Sequence, residues 1–115
     1  MTNAKLLYHT DGNVIDFIED LIEIGVDILN PINLTALDVD KLKQEFGNRL
    51  CFWGGIDTKR VLPKGTPEEV ESEVKKRIRQ LGPEGYILTP VHNVQADVPG
   101  KNFLTMVESA KESVL

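Results

Sequence analysis

Leu50-Cys51-Phe52-Trp53-Gly54-Gly55-Ile56-Asp57 is a short apolar run that gives way to paired glycines and an acid. The same handover recurs along the chain. Leu6-Leu7-Tyr8 opens into His9-Thr10-Asp11-Gly12-Asn13, Ile28-Leu29 into Asn30-Pro31-Ile32-Asn33, and Tyr86-Ile87-Leu88 into Thr89-Pro90-Val91-His92-Asn93. Each leads, directly or through a loop, to a helical pattern. Short apolar runs without alternation suit parallel strands covered on both faces, and a spacing of ~20–30 residues suits βαβ units. The chain therefore reads as one α/β domain over residues 1–115, with strand and helix repeated four times. Two architectures satisfy this order: four β/α units forming half of a (β/α)8 barrel, or a small open doubly wound parallel sheet. A complete barrel needs roughly 250 residues, so this length supplies only half of one. In both, ligands gather at the C-terminal ends of the strands, where the polar handover residues lie.

The helical patterns differ in clarity. Thr66-Pro67-Glu68-Glu69 joins an N-cap threonine, a first-turn proline and a capping-box glutamate. From there Val70, Val74, Ile78 and Leu81 form an apolar stripe, and Glu71/Lys75 and Glu73/Arg77 are favourable i,i+4 pairs. Gly82-Pro83 ends that helix. An earlier helix is expected from Val14 to Ile24, with Asn13 as cap, Val14, Phe17, Ile18, Leu21 and Ile22 inward, and Gly25 as the left-handed stop. A short one is expected from Val39 to Phe46 after the cap Asp38, and a last one from Gly100 to Val114 with Phe103, Val107, Ala110 and Val114 on one face. The stretch from Thr58 to Gly65 reads as an irregular rim loop.

Composition narrows the partners. A formal net charge of −5 disfavours a nucleic-acid footprint and an anionic membrane surface. No run approaches the ~20 apolar residues of a membrane span, and the first residues lack a signal-peptide pattern, so a cytoplasmic setting is expected. The single Cys51 precludes an internal disulfide and reads as a small core residue. Phe52 and Trp53 read as core as well.

His9 and Asp11 are two apart in an extended segment, so their side chains point the same way. That suits two ligands on one metal, or a carboxylate orienting an imidazole. The plainer alternative is a strand-end turn in which Asp11 caps the following helix and His9 fills space. His92 follows the fourth run and, in a closed barrel, faces the same mouth as His9 and Asp11. Asn30, Gly54, Gly55 and Asn93 stand at the same handovers as candidate substrate contacts; the glycines would permit close backbone approach of a ligand. Lys59 and Arg60, in the loop beyond them, suit an anionic group. Asp57 reads as a turn or cap residue.

The segments YHTDGNV, EIGVDILNPI, LKQEFGNRLCFWGGIDT, GTPEEVESEVKKRI and YILTPVHNVQADVPGKNFLTMVESA resemble, in order and spacing, the C-terminal half of the uroporphyrinogen decarboxylase family. The resemblance implies a (β/α)8 barrel of which this chain is the last four units. It also implies one of two chemistries. Decarboxylases remove acetate carboxyl groups from uroporphyrinogen without metal or organic cofactor, and His92 matches a histidine in their pocket. Their tetrapyrrole-gripping aspartate and arginines belong to the N-terminal half. The related methyl-corrinoid:thiol methyltransferases bind zinc through a histidine, a cysteine and a second cysteine. Here His9 matches the first ligand, Asp11 takes the place of the first cysteine and His92 that of the last. HTDGN and FWGGIDT look closer to the methyltransferase-like members. The implied reading is zinc held by His9, Asp11 and His92, a methyl-corrinoid as methyl donor, and a thiol as acceptor. A half-barrel acting as an inactive scaffold is the non-enzymatic alternative. Expected partners are a small-molecule substrate, a corrinoid protein, and either the missing N-terminal half-barrel or a second copy of the chain, since half a barrel exposes two strand edges and an apolar interior.

Overall fold

The computed structural model describes residues 2–113. Four strands, β1 (Leu7–His9), β2 (Ile28–Ile32), β3 (Cys51–Ile56) and β4 (Tyr86–Pro90), form one sheet in the order β1-β2-β3-β4. Every neighbouring pair is parallel. Consecutive order means that each crossover advances the sheet by one strand, which is the arc of a β/α barrel. The open doubly wound alternative, which reverses strand order at a switch point, does not describe it. The arc itself is not closed.

Between the strands lie a 3-10 turn (Ile15–Phe17) that runs into α1 (Ile18–Glu23), then α2 (Val39–Phe46), α3 (Val61–Lys64), α4 (Pro67–Leu81) and, after β4, α5 (Gly100–Ser113). Capping chemistry set several of these boundaries. The Thr66 hydroxyl accepts from Glu69 N at 3.2 Å, and the Asp38 carboxylate from Lys41 N at 3.1 Å. Gly25 closes α1 at a φ of 103°, whereas the N-cap position expected for Asn13 falls to Val14, without a side-chain cap bond, and Asn13 Oδ1 accepts from Ile15 N at 3.1 Å from one residue earlier.

The core lies on one side of the sheet. Leu29 and Phe52 join Ile18, Leu42, Phe46 and Leu81 under α1, α2 and α4. Ile56 joins Leu62, Val70, Val74 and Met106 under α3, α4 and α5. The alternate strand residues Ile28, Asn30, Cys51 and Trp53 are only half-buried, and Leu7, Tyr8 and Ile87 are exposed. The sheet is thus covered on one face, not two as the apolar runs implied. The other face is the concave side of the arc. Cys51 is half-buried, and its desolvation pushes the thiol pKa up, which suits an unreactive side chain.

Four local expectations need correction. Phe17 was placed on the inner stripe but is 62% exposed. The helix enters through a 3-10 turn of about three residues per turn, so the 3.6-residue stripe does not extend back to it. Thr58 to Gly65 is not wholly irregular; α3 lies within it and buries Leu62. Asn30-Pro31 and Gly54-Gly55 lie inside β2 and β3, not in turns after them, with a register shift between Leu29 and Ile32. Finally, α5 buries Asn102, Met106 and Ser109; of its expected face Val107 and Ala110 pack against the core, whereas Phe103 is 39% exposed. Asn102 Nδ2 donates to Leu62 O and to Gly65 O, both at 2.8 Å, and this fixes the helix rotation. Val114, assigned to the same face, lies outside the described residues.

Candidate functional site

The strand ends bring the two histidines and the acid to one rim. His9 ends β1 and pairs in register with Asn30 of β2. Asn30 Nδ2 donates to Trp53 O at 3.3 Å, which leaves its Oδ1 to accept from His9 Nδ1 at 2.6 Å. A neutral His9 held this way carries its lone pair on Nε2. Asp11 stands beyond the strand end. Its Oδ1 accepts from Asn33 Nδ2 at 2.9 Å and from Gly12 N at 2.8 Å. Those two bonds, the Asn33 one foremost, hold its carboxyl below the usual carboxylate range, with the charge of Lys59 and, when it is protonated, that of His92 assisting. Its other oxygen, Oδ2, lies 3.4 Å from His92 Nε2.

A cavity of about 620 Å³ opens on the concave face beside this pair. His9, Asn30, Trp53, His92 and Asn93 line it, with Phe103 of α5 at its margin. The sequence-predicted residues therefore separate into two groups. His9, Asp11, His92, Asn30 and Asn93 stand at the rim or in the cavity wall. Gly54 and Gly55 do not: both are buried in β3, and the closeness they permit is to the chain itself. A Cβ on Gly54 would meet Ile32 N at 2.7 Å, and one on Gly55 would meet Tyr86 Oη at 2.7 Å. Tyr86 Oη in turn donates to Gly54 O at 2.8 Å. Asp57 is the local cap expected, accepting from Lys59 N and Arg60 N.

Two contributors were not read from sequence. Asn33 positions Asp11, and its place at the end of the second handover was the available signal. Trp53 lines the cavity although its apolar setting marked it as core. Its alternation with buried Phe52 was the missed clue.

The donor chemistry of the rim suits zinc: two imidazoles and a carboxylate are all accepted ligands, and His9 has the amide-oriented ring that metal-binding histidines favour. Asp11 Oδ2 and His92 Nε2 face each other at 3.4 Å, and His9 lines the adjoining cavity together with His92. Among the described residues no three His, Cys, Asp or Glu side chains close around a single point.

An arc of consecutive parallel β/α units, with polar side chains on the C-terminal rim, defines the class: half of a (β/α)8 barrel. The family model described as Uroporphyrinogen decarboxylase (URO-D) matches residues 1–113. The chain belongs to the uroporphyrinogen decarboxylase family. It is 31% identical over 80 residues to the uroporphyrinogen decarboxylase of Chlorobaculum parvum, covering 66% of this chain and 22% of that protein. With the uroporphyrinogen decarboxylase of Chlorobium phaeovibrioides it is 29% identical over 112 residues, 93% of this chain and 30% of that one. A solved methyltransferase from Methanosarcina mazei superposes with a TM-score of 0.78 at 22% identity, over 96% of this chain and 32% of that one. The chain thus spans less than a third of the length of the relatives it matches.

Proposed function

We propose that this chain forms the C-terminal half of a zinc-assisted methyltransferase site that moves a methyl group from a methyl-corrinoid to a thiol. The observation that carries this is the 3.4 Å approach of Asp11 Oδ2 to His92 Nε2, with His9 on the wall of the adjoining cavity. His9, Asp11 and His92 are the residues that would hold zinc. The bound metal would supply Lewis acidity that lowers the pKa of an acceptor thiol. Asn30 fixes the His9 ring so that Nε2 is the free nitrogen, and Asn33 with the Gly12 amide keeps Asp11 ionised and aimed at His92. Trp53 and Phe103 give the cavity the apolar wall that a methyl donor requires. The rest of the site would come from an N-terminal half-barrel of the family type or from a second copy of the chain. A corrinoid protein is the natural methyl carrier.

The test is zinc stoichiometry after dialysis, followed by thiol-dependent demethylation of methylcobalamin by the chain combined with an N-terminal half from a family member. Stoichiometric zinc that is lost in His9→Ala and His92→Ala, together with demethylation, supports the reading. Wild-type protein that retains no zinc overturns it.

A second reading is cofactor-free decarboxylation of uroporphyrinogen, favoured by the names of the aligned sequence relatives. There the Asp11–His92 pair would carry the proton to the carbon that loses its carboxylate. Carbon dioxide release from uroporphyrinogen that is unaffected by a chelator distinguishes it.

A further inference from the structure

A second cavity, of about 300 Å³, lies between the loops after β2, β3 and β4 and the side of α4. Four cationic side chains, Lys59, Arg60, Lys76 and Arg77, line it against two carboxylates, Asp57 and Glu73. In a chain whose formal charge is −5 this is a local excess of positive charge. The two carboxylates are already committed. Arg77 is almost wholly buried and is held by Glu73 at 2.8 Å and by Gln80. Asp57 binds the backbone of its own loop and faces Arg60 Nε at 3.5 Å. Among the described residues, the ammonium groups of Lys59 and Lys76 have neither a salt bridge nor a hydrogen bond. Two uncommitted positive charges, one on the loop after β3 and one on α4, with a fixed guanidinium in the same lining, match a ligand with two negative charges.

We infer that this cavity binds a small doubly charged oxyanion, a phosphate ester or a dicarboxylate, between Lys59 and Lys76. The site does not depend on the methyl-transfer reading. Its lining comes from the loops after β2, β3 and β4 and from α4. His92 and Asn33 also border it, which puts the bound anion next to the rim that carries Asp11 and His92.

The experiment is titration of the full chain with inorganic phosphate and, separately, with malonate at low ionic strength, followed by amide chemical shifts. Saturable shifts converging on residues 33–35, 57–61 and 76–77 are expected from at least one probe. The stronger probe tells a phosphate ester from a dicarboxylate. The doubly substituted Lys59→Gln/Lys76→Gln protein should weaken binding by about tenfold, the combined worth of two exposed ion contacts, while Lys76→Arg retains it. Both lysines are exposed, so the fold survives these changes, as a melting curve will verify. No saturation with either probe across the millimolar range overturns the inference. So does equal affinity in the doubly substituted protein.

Discussion

Asp11 and His92 come from opposite ends of the chain and from the two outer strands' loops, yet Asp11 Oδ2 stands 3.4 Å from His92 Nε2. The sheet order makes β1 and β4 the two borders of the arc, and only the curvature of the sheet brings their loops together. Substituting Asp11 by Ala should therefore remove the link across the rim. Exposed positions of this kind usually change stability by no more than about 0.5 kcal/mol, so the melting temperature should hardly move. Zinc retention and the proposed activity should be lost. A variant that retains zinc as the wild type does removes Asp11 from the ligand set.

The Asp11 carboxyl should titrate below the ordinary carboxylate range, chiefly because Asn33 donates to it. A depressed native pKa adds stability that is present above the unfolded value and lost as pH falls through the native one. Asn33→Ala should bring the Asp11 midpoint back up toward the ordinary value, as side-chain carboxyl shifts read across an acid titration. An unchanged midpoint would mean that the Gly12 amide and the neighbouring charges set it without Asn33.

Asn102 is fully buried and donates to two backbone carbonyls at the end of α3. Asn102→Leu leaves both acceptors without a partner and should cost about 2–3 kcal/mol in denaturant unfolding. The same change should raise proteolysis in the loop from 58 to 65, because the amide is what ties α3 to α5. Stability equal to wild type would show that the carbonyls find other donors.

Gly54 and Gly12 both have positive φ, but only Gly54 is also crowded. Gly12→Ala should cost about 1 kcal/mol, the strain of the left-handed backbone alone. Gly54→Ala adds a Cβ 2.7 Å from the Ile32 amide nitrogen and should cost roughly 3 kcal/mol, since a neighbouring strand cannot move aside as a side chain can. Equal costs at the two sites would show that crowding contributes nothing.

The borders of the arc carry unpaired backbone groups beside exposed Leu7 and Ile87. Sedimentation should show a mass that rises with concentration, and Leu7→Lys with Ile87→Lys should reduce that rise. A monomer at all concentrations would remove self-association as the means of covering the concave face.

Sequence was most informative where the determinants are local. Thr66, Pro67 and Glu69 fix the start of α4 within four residues, and Asp38 does the same for α2. The shared rim also followed from the order of the parallel runs. What escaped depended on distant partners. Asn30-Pro31 and Gly54-Gly55 are turn-prone residue types, but the ladders on either side keep them in strands. The apolar stripe of α5 was legible at Val107 and Ala110, but the burial of Asn102 against the carbonyls of Leu62 and Gly65 was not, because no periodicity of apolar residues reveals it. Asn33 was one more polar loop residue until the fold placed Asp11 beside it.

His92 lines both hollows, the one on the concave face and the cationic cleft. A guest in either meets the same imidazole. If occupancy of one chamber changes affinity in the other by some factor, thermodynamic linkage requires the reverse effect to be equal. A single side chain thus makes the two chambers accountable to each other.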